Sequence, residues 1–349
     1  MATNPMNSLN AKVIQPLLKT LPEKQREVLL GRFGLGKSGE YETLEAIGKR
    51  FGITLERVRQ IEASALDTIG ETAKAHPLVQ DLFRQGKKHL KDLGGVAPKD
   101  ALLDRLHKSW NDAGENHLSV LLASTDVFGE HDGDGETLPH YYIDTAALKK
   151  AKGFVAQWVS HLRSEKAKVL SGGYRAEFKE FLKSKKIPTQ HAESYVAVSR
   201  KIHCNTFNDI GLAEWPEVNP KTVRDRIYAV LRKQKEPVHF EEIAQLINGA
   251  KFDTRLALAS TVHNELIKDS RFVLVGRGMY GLSEHGHVPG TAKEVIQRIL
   301  KKHGPLNSQS IVSAVQKERL FKQNTILVNL QNRSLFARRN DGTYQVREA

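Results

Sequence analysis

The sequence contains a single cysteine, Cys204. One cysteine excludes a disulfide framework within the chain and any zinc site built from several cysteines. No stretch approaches the roughly 18 consecutive apolar residues that suggest a membrane-spanning helix. The first residues, MATNPMNSLNAKVIQPLL, lack the basic start, apolar core and cleavage site of a secretion signal. We therefore expect a cytoplasmic protein with no membrane partner.

The sequence also lacks a consistent catalytic, cofactor or metal site. Residues 31–38, GRFGLGKS, satisfy the P-loop pattern, but the preceding run PEKQREVLL has helical character where a P-loop follows a buried strand. Residues 131–135, HDGDG, resemble a calcium-loop fragment without the downstream glutamate. His203 and Cys204 are neighbours, and neighbouring side chains on a strand point to opposite faces. We expect a loop, a solvated turn and a small buried cysteine, and hence no enzyme, cofactor, metal or small-molecule substrate.

Positive charge is in excess, with 53 Lys and Arg against 40 Asp and Glu and a formal net charge of +13. Such an excess attracts polyanions through long-range attraction and counterion release. Nucleic acid is therefore the leading partner. A ribosome-associated surface or a merely solubilising one would give the same balance, so charge alone does not decide between them.

The first 75 residues read as a compact all-helical unit. Apolar residues recur at spacings of three and four, the pattern of one buried helix face. This periodicity predicts helices over residues 11–19, 23–33, 44–51 and 55–73.

The segment TLEAIGKRFGITLERVRQIEASAL, residues 43–66, predicts a helix-turn-helix. Gly52 can adopt the positive φ that the turn demands, Thr54 can cap the second helix, and Ala46 is small where we expect the helices to cross.

The second helix of this segment carries four polar side chains near its start: Glu56, Arg57, Arg59 and Gln60. Such side chains suit a DNA major groove, because arginine can bind guanine, glutamine can bind adenine and glutamate can accept from cytosine.

Residues 21–35, LPEKQREVLLGRFGL, followed by YETLEAIGKRFGITLERVRQIEASAL, resemble region 4 of the sigma-70 family of bacterial RNA polymerase sigma factors. The resemblance covers about residues 20–75 and implies double-stranded promoter DNA and the RNA polymerase core as partners. It further implies that Glu56 and Gln60 face bases.

The same resemblance assigns backbone and docking roles. It implies that Arg32, Thr43 and Leu44 sit at the phosphate backbone, and that Val28 and Leu29 belong to the surface that docks on the polymerase flap.

The chain departs from the sigma-70 pattern in places. Leu55 stands where the family usually has a base-reading arginine, and Ser64 stands where a backbone-contacting lysine is common. Nothing resembles region 2, whose aromatic and basic helices melt the promoter. We therefore do not expect a self-sufficient sigma factor, and a helix-turn-helix used only for protein docking is the alternative.

Residues 219–286 predict a winged helix: three helices, then strands over 272–275 and 279–282 with Gly276 and Gly278 at the bend. The phrases PVHF, EEIAQLIN and FVLVGRGMYGLSEHG resemble the HARE-type helix-turn-helix, which also occurs at the N-terminus of the RNA polymerase delta subunit. DNA-contact candidates by position are Arg255, His263, Asn264, Lys268 and Arg277. Protein binding by this module is the alternative.

Residues 290–349 predict a second, more basic winged helix. Leu330, Phe336, Gly342 and Tyr344 repeat Leu266, Phe272, Gly278 and Tyr280 at a constant offset of 64. The segment holds eleven Lys and Arg against four acidic residues, a net charge of +7. Phosphate contacts are expected from Lys322, Arg333, Arg338 and Arg339, and a solvated charged face is the alternative.

The remaining segments complete the predicted architecture. We expect a basic helical linker over residues 76–95, a winged-helix-like module over 96–150, and a helical segment with a wing over 151–218. The fold class is thus mainly α, a helix-turn-helix bundle followed by tandem winged-helix (α+β) modules. The function expected is a DNA-binding transcription regulator, cytoplasmic and nucleoid-associated. The alternative is an RNA polymerase accessory protein, akin to the delta subunit, whose winged helices bind protein.

Overall fold

The computed structural model describes residues 9–36, 39–319 and 321–347. The chain divides into two compact units, Met1–Ile202 and His203–Ala349. Both are mainly helical with short antiparallel strands, which confirms the predicted fold class. In the described part of the chain, no helix has the length and apolar character needed to cross a membrane.

The first unit consists of helices joined by short turns, with one small sheet. Two π-helical turns each lead directly into an α-helix: Asn10–Ile14 precedes the helix that begins at Gln15, and Val169–Gly173 precedes the helix that begins at Tyr174. The helices are α1 Gln15–Thr20, α2 Glu23–Arg32, α3 Leu44–Phe51, α4 Leu55–Ala73, α5 Pro77–Asp92, α6 Lys99–Ser109, α7 Glu115–Ala123, α8 Thr145–Ser164, α9 Lys166–Lys168, α10 Tyr174–Lys185 and α11 Thr189–Ala197. The strands are β1 Val96–Pro98, β2 Gly129–His131 and β3 His140–Tyr142.

One large apolar core joins α1, α2 and α4 to the helices that follow them. Leu29 of α2, Ile69 of α4, Leu82 of α5 and Leu106 of α6 are all buried in it. Burial of large aliphatic side chains stabilises each by roughly 1.5–3 kcal/mol. The helical bundle predicted from the first 75 residues therefore shares its core with the helices and strands up to Tyr141.

Helices α5, α6 and α7 with strands β1, β2 and β3 have the order of a winged helix. β1 lies between the first two helices, β2 and β3 follow the third, and the antiparallel sheet has the order β1-β3-β2. The segment 76–95, expected to be a basic helical linker, contains helix α5. Its Val79 and Leu90 are fully buried in the shared core.

Helices α8, α10 and α11 complete the first unit around Trp158, which is fully buried. The indole ring packs against Phe178 and Phe181 of α10 at centroid distances of 5.0 Å. Helix α11 is fixed to the first sheet, since the Ser194 hydroxyl donates to the Val96 carbonyl at 2.6 Å.

The second unit contains two three-helix modules, each closed by a β-hairpin. Its helices are α12 Val223–Lys233, α13 Phe240–Ala250, α14 Ala259–Lys268, α15 Ala292–His303, α16 Ser308–Glu318 and α17 Gln323–Leu330. Its strands, with β4 beginning at the division between the units, are β4 Ile202–Cys204, β5 Ile210–Leu212, β6 Val238–His239, β7 Phe272–Gly276, β8 Met279–Leu282, β9 Phe336–Arg338 and β10 Tyr344–Val346. A short 3-10 helix, Ser283–His285, follows β8.

The two C-terminal modules have matching local structure. Helices α12 and α15 both begin with a capping box, at Thr222 and Thr291. The hairpins β7-β8 and β9-β10 both turn through a glycine of positive φ, Gly278 at 71° and Gly342 at 84°. The strands predicted over residues 272–275 and 279–282 form a hairpin, and the last module has a matching one. Strand β6 adds a third strand to the first hairpin in the order β6-β8-β7.

Candidate nucleic-acid interface

Helices α3 and α4 form a helix-turn-helix with the turn that the sequence predicts. Gly52 ends α3 in the left-handed conformation, φ 63°, and the Ile53 amide donates to the Gly48 carbonyl at 2.9 Å. The Thr54 hydroxyl caps α4 by accepting from the Arg57 amide at 3.2 Å. Thr43 caps α3 in the same way, accepting from the Ala46 amide at 3.1 Å.

The close approach of the two helices depends on Gly48, and the prediction for Ala46 was wrong. Ala46 is exposed, whereas Gly48 is buried where the chain doubles back. A Cβ at Gly48 would lie 2.8 Å from the Ile53 carbonyl oxygen, which is backbone and cannot rotate away. Only glycine fits at this position without displacing the turn.

The start of α4 presents the predicted polar side chains to solvent. Val58 and Ile61 bury the opposite side of the helix in a small core with Val28 and Ile47. On the exposed side, Glu56, Arg57, Arg59 and Gln60 form two pairs. The Arg59 guanidinium lies 3.0 Å from the Glu56 carboxylate, and the Arg57 Nη1 donates to the Gln60 amide oxygen at 3.0 Å. Exposed pairs of this kind contribute little to stability. These side chains can therefore exchange their present partners for base edges in a DNA groove at a small cost in free energy.

Arg32 and Leu44, expected at the phosphate backbone, lie beside this helix. The Arg32 Nε donates to the Glu62 carboxylate of α4 at 3.2 Å, and its Nη1 donates to the Glu42 carbonyl at 3.2 Å. Leu44 is half-buried at the first position of α3 and packs against the small core. Arg32 therefore serves the internal packing of the helix-turn-helix in this conformation.

A cleft of about 680 Å³ separates this face from the winged-helix group α5–α7. One wall carries Arg32, Leu44, Arg59 and Glu62, and the other carries four acidic residues together with Lys99, which pairs with Glu130. The acidic residues on the second wall are Asp100, Glu115, Glu130 and Asp132. The volume falls within the range of small-ligand clefts, roughly 300–1,000 Å³.

Direct contacts hold the two walls of the cleft together. The Asn116 side chain donates to the Gly34 carbonyl at 3.2 Å and accepts from the Tyr41 hydroxyl. At the far end, buried Gly70 of α4 faces Ser124, the residue that ends α7. Helix α7, the third helix of its winged-helix group, is thus packed against α4.

Val28 and Leu29, expected at the polymerase-docking surface, are both fully buried. Val28 belongs to the small core inside the helix-turn-helix, and Leu29 belongs to the large shared core. Neither side chain presents atoms to a partner in this conformation, so a docking surface on α2 would use other residues of the helix.

The candidates in the α12–α14 module differ in their availability. Arg255 donates to the Asp253 carboxylate at 2.6 Å and to the Lys221 carbonyl at 3.1 Å, which secures a loop to the start of α12. The imidazole of His263 is half-buried, 4.7 Å from the Phe240 ring. Lys268 lies 3.2 Å from the Glu265 carboxylate. The other two candidates, both exposed, are Asn264 and Arg277.

The candidates in the last module are exposed. Lys322 is the residue that precedes α17, and Arg333 follows that helix. Arg338 lies over the Tyr344 ring at 6.0 Å, and Arg339 occupies the turn of the hairpin. Two of these four cations flank the third helix of the module, and the other two lie in its hairpin.

The structure shows the surroundings of the P-loop-like run and of the HDGDG loop, which were not expected to be functional sites. Helix α2 precedes the P-loop-like run, as predicted, while Lys37 and Ser38 lie outside the described residues. Asp134 of the HDGDG loop accepts the amides of Glu136 and Thr137, both at 2.7 Å, and these hydrogen bonds lower its pKa to about 2.

One expectation about these motifs was wrong, because Cys204 is exposed rather than buried. Across the described residues, no group of three His, Cys, Asp or Glu side chains is placed to hold a metal ion.

Comparison with known proteins finds a family match for part of the first unit. Residues 17–69 match the family described as Sigma-70, region 4. A stretch of 65 residues is 45% identical to the RNA polymerase sigma factor SigA of Bacillus sp, covering 19% of this chain and 17% of that protein. No solved structure matches the chain. The resemblance of the helix-turn-helix to sigma-70 region 4, the DNA-binding domain of sigma factors, is therefore confirmed over residues 17–69.

Proposed function

We propose that the chain is a DNA-binding transcription regulator that reads promoter DNA through helix α4. The observation that carries this proposal is the exposed start of α4, with Arg57 and Gln60 free of the cleft, on a helix-turn-helix that matches Sigma-70 region 4. A recognition helix enters the major groove with its N-terminal residues. Glu56, Arg57 and Gln60 supply the donor and acceptor pattern for base contacts.

The acidic wall of the cleft limits how this helix-turn-helix meets the phosphate backbone. A strand lying against Arg32 and Arg59 would pass close to Asp100 and Asp132, and like charges repel. We infer that base contacts from the first turns of α4 carry more of the recognition here than backbone contacts from Arg32 and Leu44.

The last module supplies the second DNA contact in this proposal. Its exposed cations, Lys322, Arg333, Arg338 and Arg339, add sequence-independent attraction to phosphates. The proposed domain organisation is a helix-turn-helix that reads DNA sequence, followed by winged-helix modules. The last of these modules binds the phosphate backbone of DNA.

A protein-binding role is the second candidate, and the α12–α14 module favours it. Arg255 and His263 are engaged within the module, while Leu256, Leu258 and Ile267 are 76%, 66% and 65% exposed around α14. Leu256 and Leu258 stand two residues apart just before α14, and exposed apolar side chains placed close together suggest contact with protein. The HARE-type resemblance of residues 219–286 fits the same role, with RNA polymerase as the proposed partner.

The test of the DNA-reading proposal is binding to a random-sequence duplex pool by the full chain and by the Arg57→Ala variant. Loss of a bidentate arginine–base contact costs about 1–3 kcal/mol and relaxes specificity at one position. We expect enrichment of a motif by the wild type and weaker enrichment at one base pair by Arg57→Ala.

The matched control is Arg175→Ala, because Arg175 is also an exposed helical arginine, in α10. It should leave the motif unchanged. Equal enrichment by all three proteins would contradict base reading by α4.

The test of the protein-binding candidate is retention of RNA polymerase from nuclease-treated extract by the tagged full chain. Leu258→Asp should reduce retention, whereas Val328→Asp, at another exposed apolar position, should not. Equal retention by both variants would count against the α14 surface.

A further inference from the structure

Helix α5 carries a line of cations that neither the sequence candidates nor the sigma-70 match includes. The side chains of Arg84, Lys87, Lys88 and Lys91 are all exposed and line one groove of about 620 Å³. Their spacing of three and four residues places them on a single face of the helix. One acidic residue, Asp92, shares the groove.

The helix is held firmly enough to act as a platform for these cations. Val79, Leu82 and Leu90 bury the opposite face in the large core. A Cβ at Gly86 would lie 2.8 Å from the Phe128 ring, so α5 packs tightly against the residue preceding the wing. The charged face therefore keeps a fixed position within the first unit.

The three lysines on this face, unlike Arg84, have no ion pair among the described residues. Arg84 pairs with Asp81, but across the described residues Lys87, Lys88 and Lys91 form no ion pair. Like charges three and four residues apart destabilise a helix. This arrangement is unfavourable for the isolated chain and favourable once a polyanion lies along it.

We propose that this face of α5 binds the phosphate backbone of duplex DNA, a second contact that rests on the proposed DNA-binding function. Only two of the eight residues that line the groove are apolar, and both are largely covered, since Phe83 is 7% exposed and Val127 is half-buried. The four cations outnumber the single carboxylate, so the groove complements a polyanion better than an apolar peptide side chain. From Arg84 to Lys91 the helix rises about 10 Å, a length over which one DNA strand presents about three phosphates.

The test uses the full chain with Lys87, Lys88 and Lys91 all changed to glutamine. Each lost phosphate contact flattens the dependence of log affinity on log salt by about 0.9. We expect the slope for duplex DNA to fall by about 2 to 3 and the affinity at low salt to fall by about tenfold or more.

The matched control changes three lysines of α8 to glutamine, with the same loss of charge in the same unit. These lysines, all exposed, are Lys149, Lys150 and Lys152. We expect the control to change the slope by less than about one. Equal effects in both triple variants would overturn the proposal.

A second measurement needs no variant and remains decisive if the triple variant fails to fold. Acetylation of the wild-type lysines with and without duplex DNA should show protection of Lys87, Lys88 and Lys91 relative to Lys150. No protection by DNA would overturn the proposal, as would protection by a polyglutamate peptide alone, which would assign the face to an acidic protein.

The two proposals can fail separately. A motif that is enriched by the wild type and weakened by Arg57→Ala, together with an unchanged salt slope in the α5 variant, would overturn only the α5 contact. If the α5 variant shows the expected reduction in salt slope but the wild type enriches no motif, only base reading by α4 is overturned.

Discussion

Replacement of Gly70 by alanine tests how the helix-turn-helix is joined to the winged-helix group. Gly70 is buried in the last turns of α4, and a Cβ there would lie 1.9 Å from the Ser124 carbonyl oxygen. Ordinary contact begins near 3.4 Å. Because the obstructing atom is backbone, α4 and α7 would have to separate by about 1.5 Å.

The expected effect is the difference between two opposing terms. Alanine stabilises a helix over glycine by up to about 1 kcal/mol, whereas overpacking a filled core costs about 1–3 kcal/mol and occasionally more. A shift of 1.5 Å at a helix crossing lies at the upper end of that range, so we expect Gly70→Ala to lower the free energy of unfolding by about 1–3 kcal/mol.

Thermal unfolding followed by circular dichroism measures this effect. In a unit of about 200 residues, 1 kcal/mol corresponds to roughly 2–4 °C in Tm. Gly153 is the matched control, since it is also a helical glycine of the first unit, in α8, and a Cβ there meets nothing within 4 Å.

The glycine-to-alanine substitution should therefore change Tm in opposite directions at the two positions. Gly153→Ala should raise Tm by a few degrees, while Gly70→Ala lowers it. A Gly70→Ala protein as stable as the wild type would refute the packing of α4 against α7.

Three further predictions concern charge, capping and pH. Asp132→Asn should tighten DNA binding by roughly 0.5 kcal/mol, about twofold, because it removes one repulsive charge from the cleft. A titration of labelled duplex measures this effect, and Glu193→Gln, at an exposed position of α11, is the control for the change in net charge. Thr54→Ala should destabilise the first unit by about 1 kcal/mol through loss of the α4 cap, and Thr54→Ser should restore it in denaturant unfolding. Because backbone hydrogen bonds lower the Asp134 pKa to about 2, that residue stabilises the fold above the ordinary aspartate pKa and the contribution is lost as pH falls toward 2; an NMR titration that gives Asp134 an ordinary pKa would contradict this.

Local signals in the sequence were sufficient for much of the secondary structure. Helix α3 and helix α4 have the predicted bounds because Thr43, Gly52 and Thr54 mark their ends and apolar residues repeat at helical spacing between them. The wing from Phe272 to Leu282 was predicted for a similar reason, since glycines at the bend separate two short apolar runs.

Features that depend on contacts between distant segments were not predictable in this way. The apolar residues of α5 were visible in the sequence, but only the fold shows that Val79 and Leu90 share a core with α4. Val28 is buried in the small core and Leu29 in the large shared core, so α2 packs against both. Helix periodicity alone cannot reveal that two neighbouring residues are buried in different cores.

The candidate site was predicted best where it depends on a single helix. Glu56, Arg57, Arg59 and Gln60 are exposed together because Val58 and Ile61 fix the buried side of α4. By contrast, the engagement of Arg255 with Asp253 and the acidic wall opposite Arg32 arise from loops and a neighbouring module. Sequence spacing carries no information about either.

Base reading by α4 is best tested by selection from a random duplex pool at two salt concentrations, with the full chain and the double variant Arg57→Ala and Gln60→Ala side by side. We expect the wild type to enrich a motif at both salt concentrations, and the double variant to lose the motif while keeping salt-sensitive binding. Salt-sensitive binding with no enriched motif in either protein would contradict base reading by α4 and leave the chain a binder of DNA as a polyanion.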